Sequence, residues 1–134
     1  MPEEWAAVAD LDPERGDPPP DDLITPDGYS YPLRAIRGGW RDLLVRIASW
    51  LIEQGHISAV DCPIALPSAR NRYILHTVAV HSDGSQFSNP IPVSGLWVEA
   101  QQDTPALGKR SKRLIEVARG PSAERFSVVF NADA

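Results

Sequence analysis

A chain of 134 residues has room for one compact domain with one core. No apolar run approaches the roughly 18 residues that cross a bilayer, and Cys62 stands alone, which excludes an internal disulfide and a multi-cysteine zinc cage. The formal net charge of −5 is unevenly spread: residues 1–23 carry eight acids against Arg15, whereas residues 24–134 carry twelve basic and ten acidic residues. The chain therefore reads as an acidic arm, residues 1–22, joined to a mildly basic domain, residues 23–134. An acidic start, where a secretory signal would be basic and then apolar, predicts a cytoplasmic protein without membrane contact.

Within the arm, residues 12–22 (DPERGDPPPDD) are acidic and proline-rich, with too little apolar surface to offset the entropy of ordering. They predict a disordered linker. Upstream, Trp5, Val8 and Leu11 fall loosely on one face of a short helical turn. So short a helix orders only against something else, which makes the three residues a candidate docking segment.

From Leu23 the pattern changes. Pro26-Asp27-Gly28 is a turn signal, and residues 29–36 read as an edge strand, because Pro32 lacks the N–H that a central ladder needs. Residues 40–54, WRDLLVRIASWLIEQ, then show the clearest period in the chain. Trp40, Leu43, Leu44, Ile47 and Leu51 form one apolar stripe with Trp50 at its edge, and Arg41, Asp42, Arg46 and Glu53 fall towards the other side. Gly38 and Gly39 allow the entry turn, and Gly55 can close the helix in the left-handed conformation.

Residues 57–66 predict a short strand or packed loop broken by Pro63. Residues 72–80, RYILHTVAV, predict a central strand, and His81-Ser-Asp-Gly-Ser85 predicts a hairpin turn. The return strand starts near Phe87, is interrupted by Pro90 and Pro92, and resumes over residues 95–100. A second helix is punctuated by Thr104 as N-cap, Pro105 at the first position, and Gly120-Pro121 as its stop. Residues 126–130 close the chain as a strand. The fold class is α+β: a small mixed or antiparallel sheet of four to five strands, two helices on one face, and a disordered acidic N-terminal arm.

Few residues point to chemistry. His56, His76 and His81 have no metal-ligand spacing on one element and no accompanying acid cluster, so no metal site and no cofactor are predicted. Gly38-Gly39 lacks the partners of a phosphate loop. Cys62, between Asp61 and Pro63 with no neighbouring cation, reads as a small buried hydrophobe. A metal-dependent nuclease would need acids such as Asp27 and Glu99 on adjacent strands, but Glu99 lacks a lysine at the usual spacing and reads as an exposed strand-end carboxylate. No catalytic residue is predicted. The basic run Lys109, Arg110, Lys112 and Arg113, with Arg37 or Arg41 assisting, is the candidate surface for nucleic acid or an acidic partner.

The segments YPLRAI, WRDLLVRIASWL, RNRYIL, GLWVEAQ and TPALGKRSKRLI together resemble a small α/β module of prokaryotic proteins, found alone or attached to restriction-type and other defence-associated chains. That resemblance covers about four fifths of the chain. It implies an accessory role in a nucleic-acid-targeting system and supplies no catalytic residues. The leading expectation is a non-enzymatic accessory or adaptor protein that binds a protein partner. The alternatives are direct nucleic-acid binding through the basic helix, an inhibitor whose acidic arm imitates a phosphate backbone, and a nuclease.

Overall fold

The computed structural model describes residues 3–11, 20–33, 39–68, 70–100, 104–118 and 125–131. The class is α+β: two helices and two four-stranded antiparallel sheets. The first sheet has the order β1-β8-β2-β3, from β1 (Glu3–Ala7), β8 (Ser127–Asn131), β2 (Asp22–Ile24) and β3 (Ser30–Pro32). The second has the order β4-β5-β7-β6, from β4 (Ile64–Ala65), β5 (Tyr73–His76), β7 (Leu96–Glu99) and β6 (Pro90–Val93). The helices are α1 (Gly39–Glu53) and α2 (Thr104–Val117), which pack on each other.

The periodic stripe forms α1, as its spacing predicts. Its end is a Schellman closure: the His56 N–H reaches the Leu51 carbonyl (2.8 Å) and the Gly55 N–H reaches Ile52 (3.1 Å), with Gly55 at φ +78°. The apolar arc is wider than one sheet can cover. Trp40, Leu43, Leu44, Ile47, Ala48, Trp50 and Leu51 are all buried. They share a cluster with Leu23 and Val128 of the first sheet, with Leu33 and Phe126 that flank its strands, and with Ile74, Leu75, Leu96 and Val98 of the second. The expected single sheet of four or five strands is thus two sheets. A helix apolar through nearly half its circumference needs apolar partners on more than one side.

The segment read as an arm also contributes. Residues 3–7 pair with β8, and a 3-10 turn at Val8–Asp10 follows in place of the expected helical turn. Val8 and Leu11 enter the core at 1% and 2% exposure, so what this segment orders against is the chain's own domain. The proline-rich residues 12–19 lie outside the described residues.

The return strand of the second sheet is two strands. Ser94 (φ 49°) and Gly95 (φ 90°) form a two-residue hairpin turn between β6 and β7, with Val93 opposite Leu96. Pro90 and Pro92 lie inside β6 rather than interrupting it. The Ala100 N–H donates to the Asn89 carbonyl, so residues 89, 91 and 93 bond β7, and both prolines sit where the backbone faces away from the ladder. The strand expected over residues 72–80 shortens to β5, and the chain beyond it bends into the predicted Asp83-Gly84 turn, with the Phe87 N–H donating to Ala79. Asp83 accepts bonds from the Ser85 hydroxyl and N–H, which hold its carboxyl below the ordinary range.

Ile47 is fully buried where α1 meets the surrounding core. Ile47→Ala should cost about 2–5 kcal/mol in urea unfolding. A midpoint within error of the parent would show that α1 is not packed as described.

Candidate functional site

Arginines of both helices reach into the structure. On α1, Arg41 Nε donates to the Ala100 carbonyl at 2.9 Å. On α2, Arg110 is 3% exposed and its Nη1 donates to the Tyr73 carbonyl at 3.4 Å. Arg113 Nε donates to Ala65 at 3.0 Å, while its Nη1 pairs with Glu116 at 3.1 Å. These carbonyls belong to β4, β5 and the residue after β7, so the guanidinium groups tie helices to the second sheet. Of the proposed contact residues, Arg37 lies outside the described residues. Lys109 is exposed and Lys112 half-buried. Arg110 is thus withdrawn from the basic run, while Lys109, Lys112 and Arg113 follow one another at i, i+3 and i+4 along α2. The period of α2 places Arg110 and Arg113 against strand ends, which a count of charges does not reveal.

The docking segment divides likewise. Val8 and Leu11 are core residues, and the backbone of Trp5 lies in β1 opposite Val129, its side chain being outside the described residues.

Glu99 is buried, at 1% exposure, contrary to the exposed strand end expected of it. Its oxygens accept the N–H groups of Ser88 (2.7 Å) and Asn89 (2.9 Å), and one lies 3.4 Å from His81 Nε2. His81 Nδ1 accepts the Tyr73 N–H at 3.0 Å, so the ring is neutral and its proton sits on Nε2, facing Glu99. Phe87 packs on the imidazole, with ring centroids 4.8 Å apart. This buried pair fastens the 81–89 segment to β5 and β7. Both ring nitrogens have partners within the chain. Asp27, the other acid of the nuclease reading, lies on the exposed turn between β2 and β3, in the other sheet. The Thr25 hydroxyl donates to its carboxylate and holds its carboxyl below the ordinary value. Among the described residues, no group of three or more His, Cys, Asp or Glu side chains could hold a metal ion. His56 stacks on Trp50 (5.4 Å), and His76 meets Tyr73 edge-on (5.1 Å).

The face of α1 opposite its apolar arc floors a groove of about 210 Å³. Asp42, Val45, Arg46 and Ser49 form the floor; Pro32 of β3 forms one wall, and Pro92, Val93 and Ser94 form the other. Asp42 is 5% exposed, and the Arg46 guanidinium lies 5.0 Å over the Tyr31 ring. The groove thus runs between the outermost strands of the two sheets. The polar side of α1 is legible in its period. Its walls are not, because they come from residues about 10 and 50 positions away in sequence.

Comparisons with protein-family models, curated proteins and solved structures found no match. No helix among the described residues is long and apolar enough to cross a membrane.

Two outcomes follow from this geometry. Glu99→Ala should cost about 1–3 kcal/mol, because it leaves the buried His81 imidazole N–H without its acceptor and releases the amides of Ser88 and Asn89; amides 88 and 89 should exchange faster than those of β5, and unchanged exchange would contradict the fastening role. Cys62 is pushed up to about 11 by burial and then by the neighbouring Asp61 carboxylate. Its thiolate fraction at pH 8 is then about a hundredfold below that of an ordinary thiol. Alkylation by iodoacetamide should be correspondingly slow and rise steadily with pH to about 11, whereas a rate levelling off near pH 9 would contradict that shift.

Proposed function

We propose that this chain is a non-enzymatic binding module whose partner is a protein seated in the groove between β3, α1 and β6. The groove itself carries the reading: it combines apolar lining residues (Val45, Val93, Pro32, Pro92) with a few polar groups (Asp42, Arg46, Ser49), the composition expected where a side chain or loop is recognised. The engagement of His81, Glu99, Arg41, Arg110 and Arg113 in internal contacts supports it, since these side chains hold the scaffold beneath the surface. The resemblance of the sequence motifs implies an accessory role in a prokaryotic nucleic-acid-targeting system, and a partner from such a system is part of the proposal. Nucleic-acid binding through α2 is the weaker reading, because two of its four basic residues bond strand carbonyls.

Removing residues 1–22 does not test this reading cleanly, because it also removes β1 and the buried Val8 and Leu11. Filling the groove does. Ser49→Trp, at a half-buried position on the floor, should abolish recovery of the partner that accompanies the natively purified protein, with the thermal midpoint kept within a few degrees. Undiminished recovery by the folded variant would reject the groove as the docking surface.

A further inference from the structure

Each sheet ends in two strands, and three of these four edges are closed to further pairing. In β3, the Thr25 N–H bonds Tyr29 and the Leu33 N–H bonds Asp21, so Ser30 and Pro32 are the residues whose backbone faces outward; Pro32 has no N–H to offer. In β6, the outward positions are Pro90 and Pro92, which offer none either. Strand β4 is two residues long, lies between Pro63 and Pro67, and its Ala65 carbonyl is held by Arg113. Proline at outward positions and brevity are the usual defences of a sheet edge.

β1 has neither defence. The Val8 N–H bonds the Phe126 carbonyl, so Glu4 and Ala6 share its parity and bond β8. Glu3 and Trp5 therefore direct N–H and C=O away from the sheet, and Ala7 directs its N–H, while the Ala7 carbonyl caps the Val8–Asp10 turn. None is a proline, and among the described residues no strand lies beyond them. This is a five-residue template for an added strand.

We propose that β1 is a pairing edge and that its occupant is the β1 of a second copy of this chain, antiparallel about Trp5. The outward positions are three residues spaced by two, so a two-fold axis at Trp5 sets Glu3 opposite Ala7, Trp5 opposite Trp5, and Ala7 opposite Glu3. The Trp5 pair can exchange two backbone hydrogen bonds, and each Glu3–Ala7 pair can add the one from the Ala7 N–H to the Glu3 carbonyl. In the same register Glu4 meets Ala6, so no two acidic positions stand directly opposite, whereas an in-register parallel pairing would stack them. The arrangement also closes. Joining the two first sheets yields eight strands in the order β3-β2-β8-β1-β1-β8-β2-β3, and its outer edges are the Pro32 edges of β3, which stop further addition. A five-residue edge is smaller than a standard protein interface, so the association is weak and concentration-dependent.

Sedimentation equilibrium of the full chain from micromolar to millimolar concentration tests the pairing, with hydrogen exchange read over the same series. The weight-average mass should rise towards twice the monomer mass, and the amides of Trp5 and Ala7 should gain protection with concentration while that of Ala6 does not. Ala7→Pro removes an outward N–H and leaves the β1–β8 ladder intact, as Pro32 does in β3. It should remain monomeric throughout with an unchanged near-ultraviolet spectrum and should recover the groove partner as before. A parent chain that stays monomeric to millimolar concentration would overturn the proposal, and so would a folded Ala7→Pro variant that still doubles in mass. Protection of those two amides only when a different protein is added would also overturn it, by assigning the edge to a foreign strand. Should Ala7→Pro unfold, the exchange series on the parent chain decides alone.

Discussion

The structure depends on the burial of one helix from two sides. Leu43, Leu44, Ile47 and Leu51 of α1 are fully buried, and at about 1.5–3 kcal/mol for each such side chain they contribute on the order of 10 kcal/mol. That is as large as the whole net stability of a typical domain, about 5–15 kcal/mol. Neither sheet could bury this surface alone, since their strands are two to five residues long. The sheets are separate in their hydrogen bonding and united by the helix between them.

Polar side chains do complementary work in the second sheet. Short strands leave many backbone groups beyond the reach of a ladder, and each such group costs free energy if it loses water without gaining a partner. Arg41, Arg110 and Arg113 supply donors to carbonyls at Ala100, Tyr73 and Ala65, and Glu99 supplies acceptors to the amides of Ser88 and Asn89. The planar guanidinium suits this work: it offers several fixed donors on a long stem that can pack against apolar neighbours. The same choice reduces the cationic surface that α2 presents. Its charge count overstates what an approaching polyanion would meet.

What was legible in the sequence was local. The period of residues 40–54, the left-handed closure at Gly55 and the Asp83-Gly84 turn all depend on neighbours within a few positions, and each stands where the pattern places it. The α+β class follows from the same signals. What was not legible depends on distant partners. Residues 3–7 look too short and too acidic to fold alone, and they form a strand only because residues 127–131 lie beside them. Pro90 and Pro92 read as breaks because the pattern does not disclose which side of β6 faces the edge. Glu99 reads as exposed until the two amides and the imidazole that surround it are known. The groove has the same character, with a floor visible in the helical period and walls contributed from both sheets.

The position of β8 has a consequence for how the chain is made. Residues 127–131 are inserted between β1 and β2, which come from the first 24 residues. During synthesis the first sheet therefore lacks its middle member until residue 131 has emerged, and until then the flank of α1 that it covers remains bare. Local contacts can form α1 and the β6–β7 hairpin early, but the closing step joins residues 127–131 to strands more than 100 positions earlier, the kind of long-range pairing that is slow to find. A nascent chain stalled before that point would expose a leucine-rich helix flank and unpaired β-edges to its neighbours, so the emergence of residues 127–131 separates an aggregation-prone intermediate from a closed first sheet.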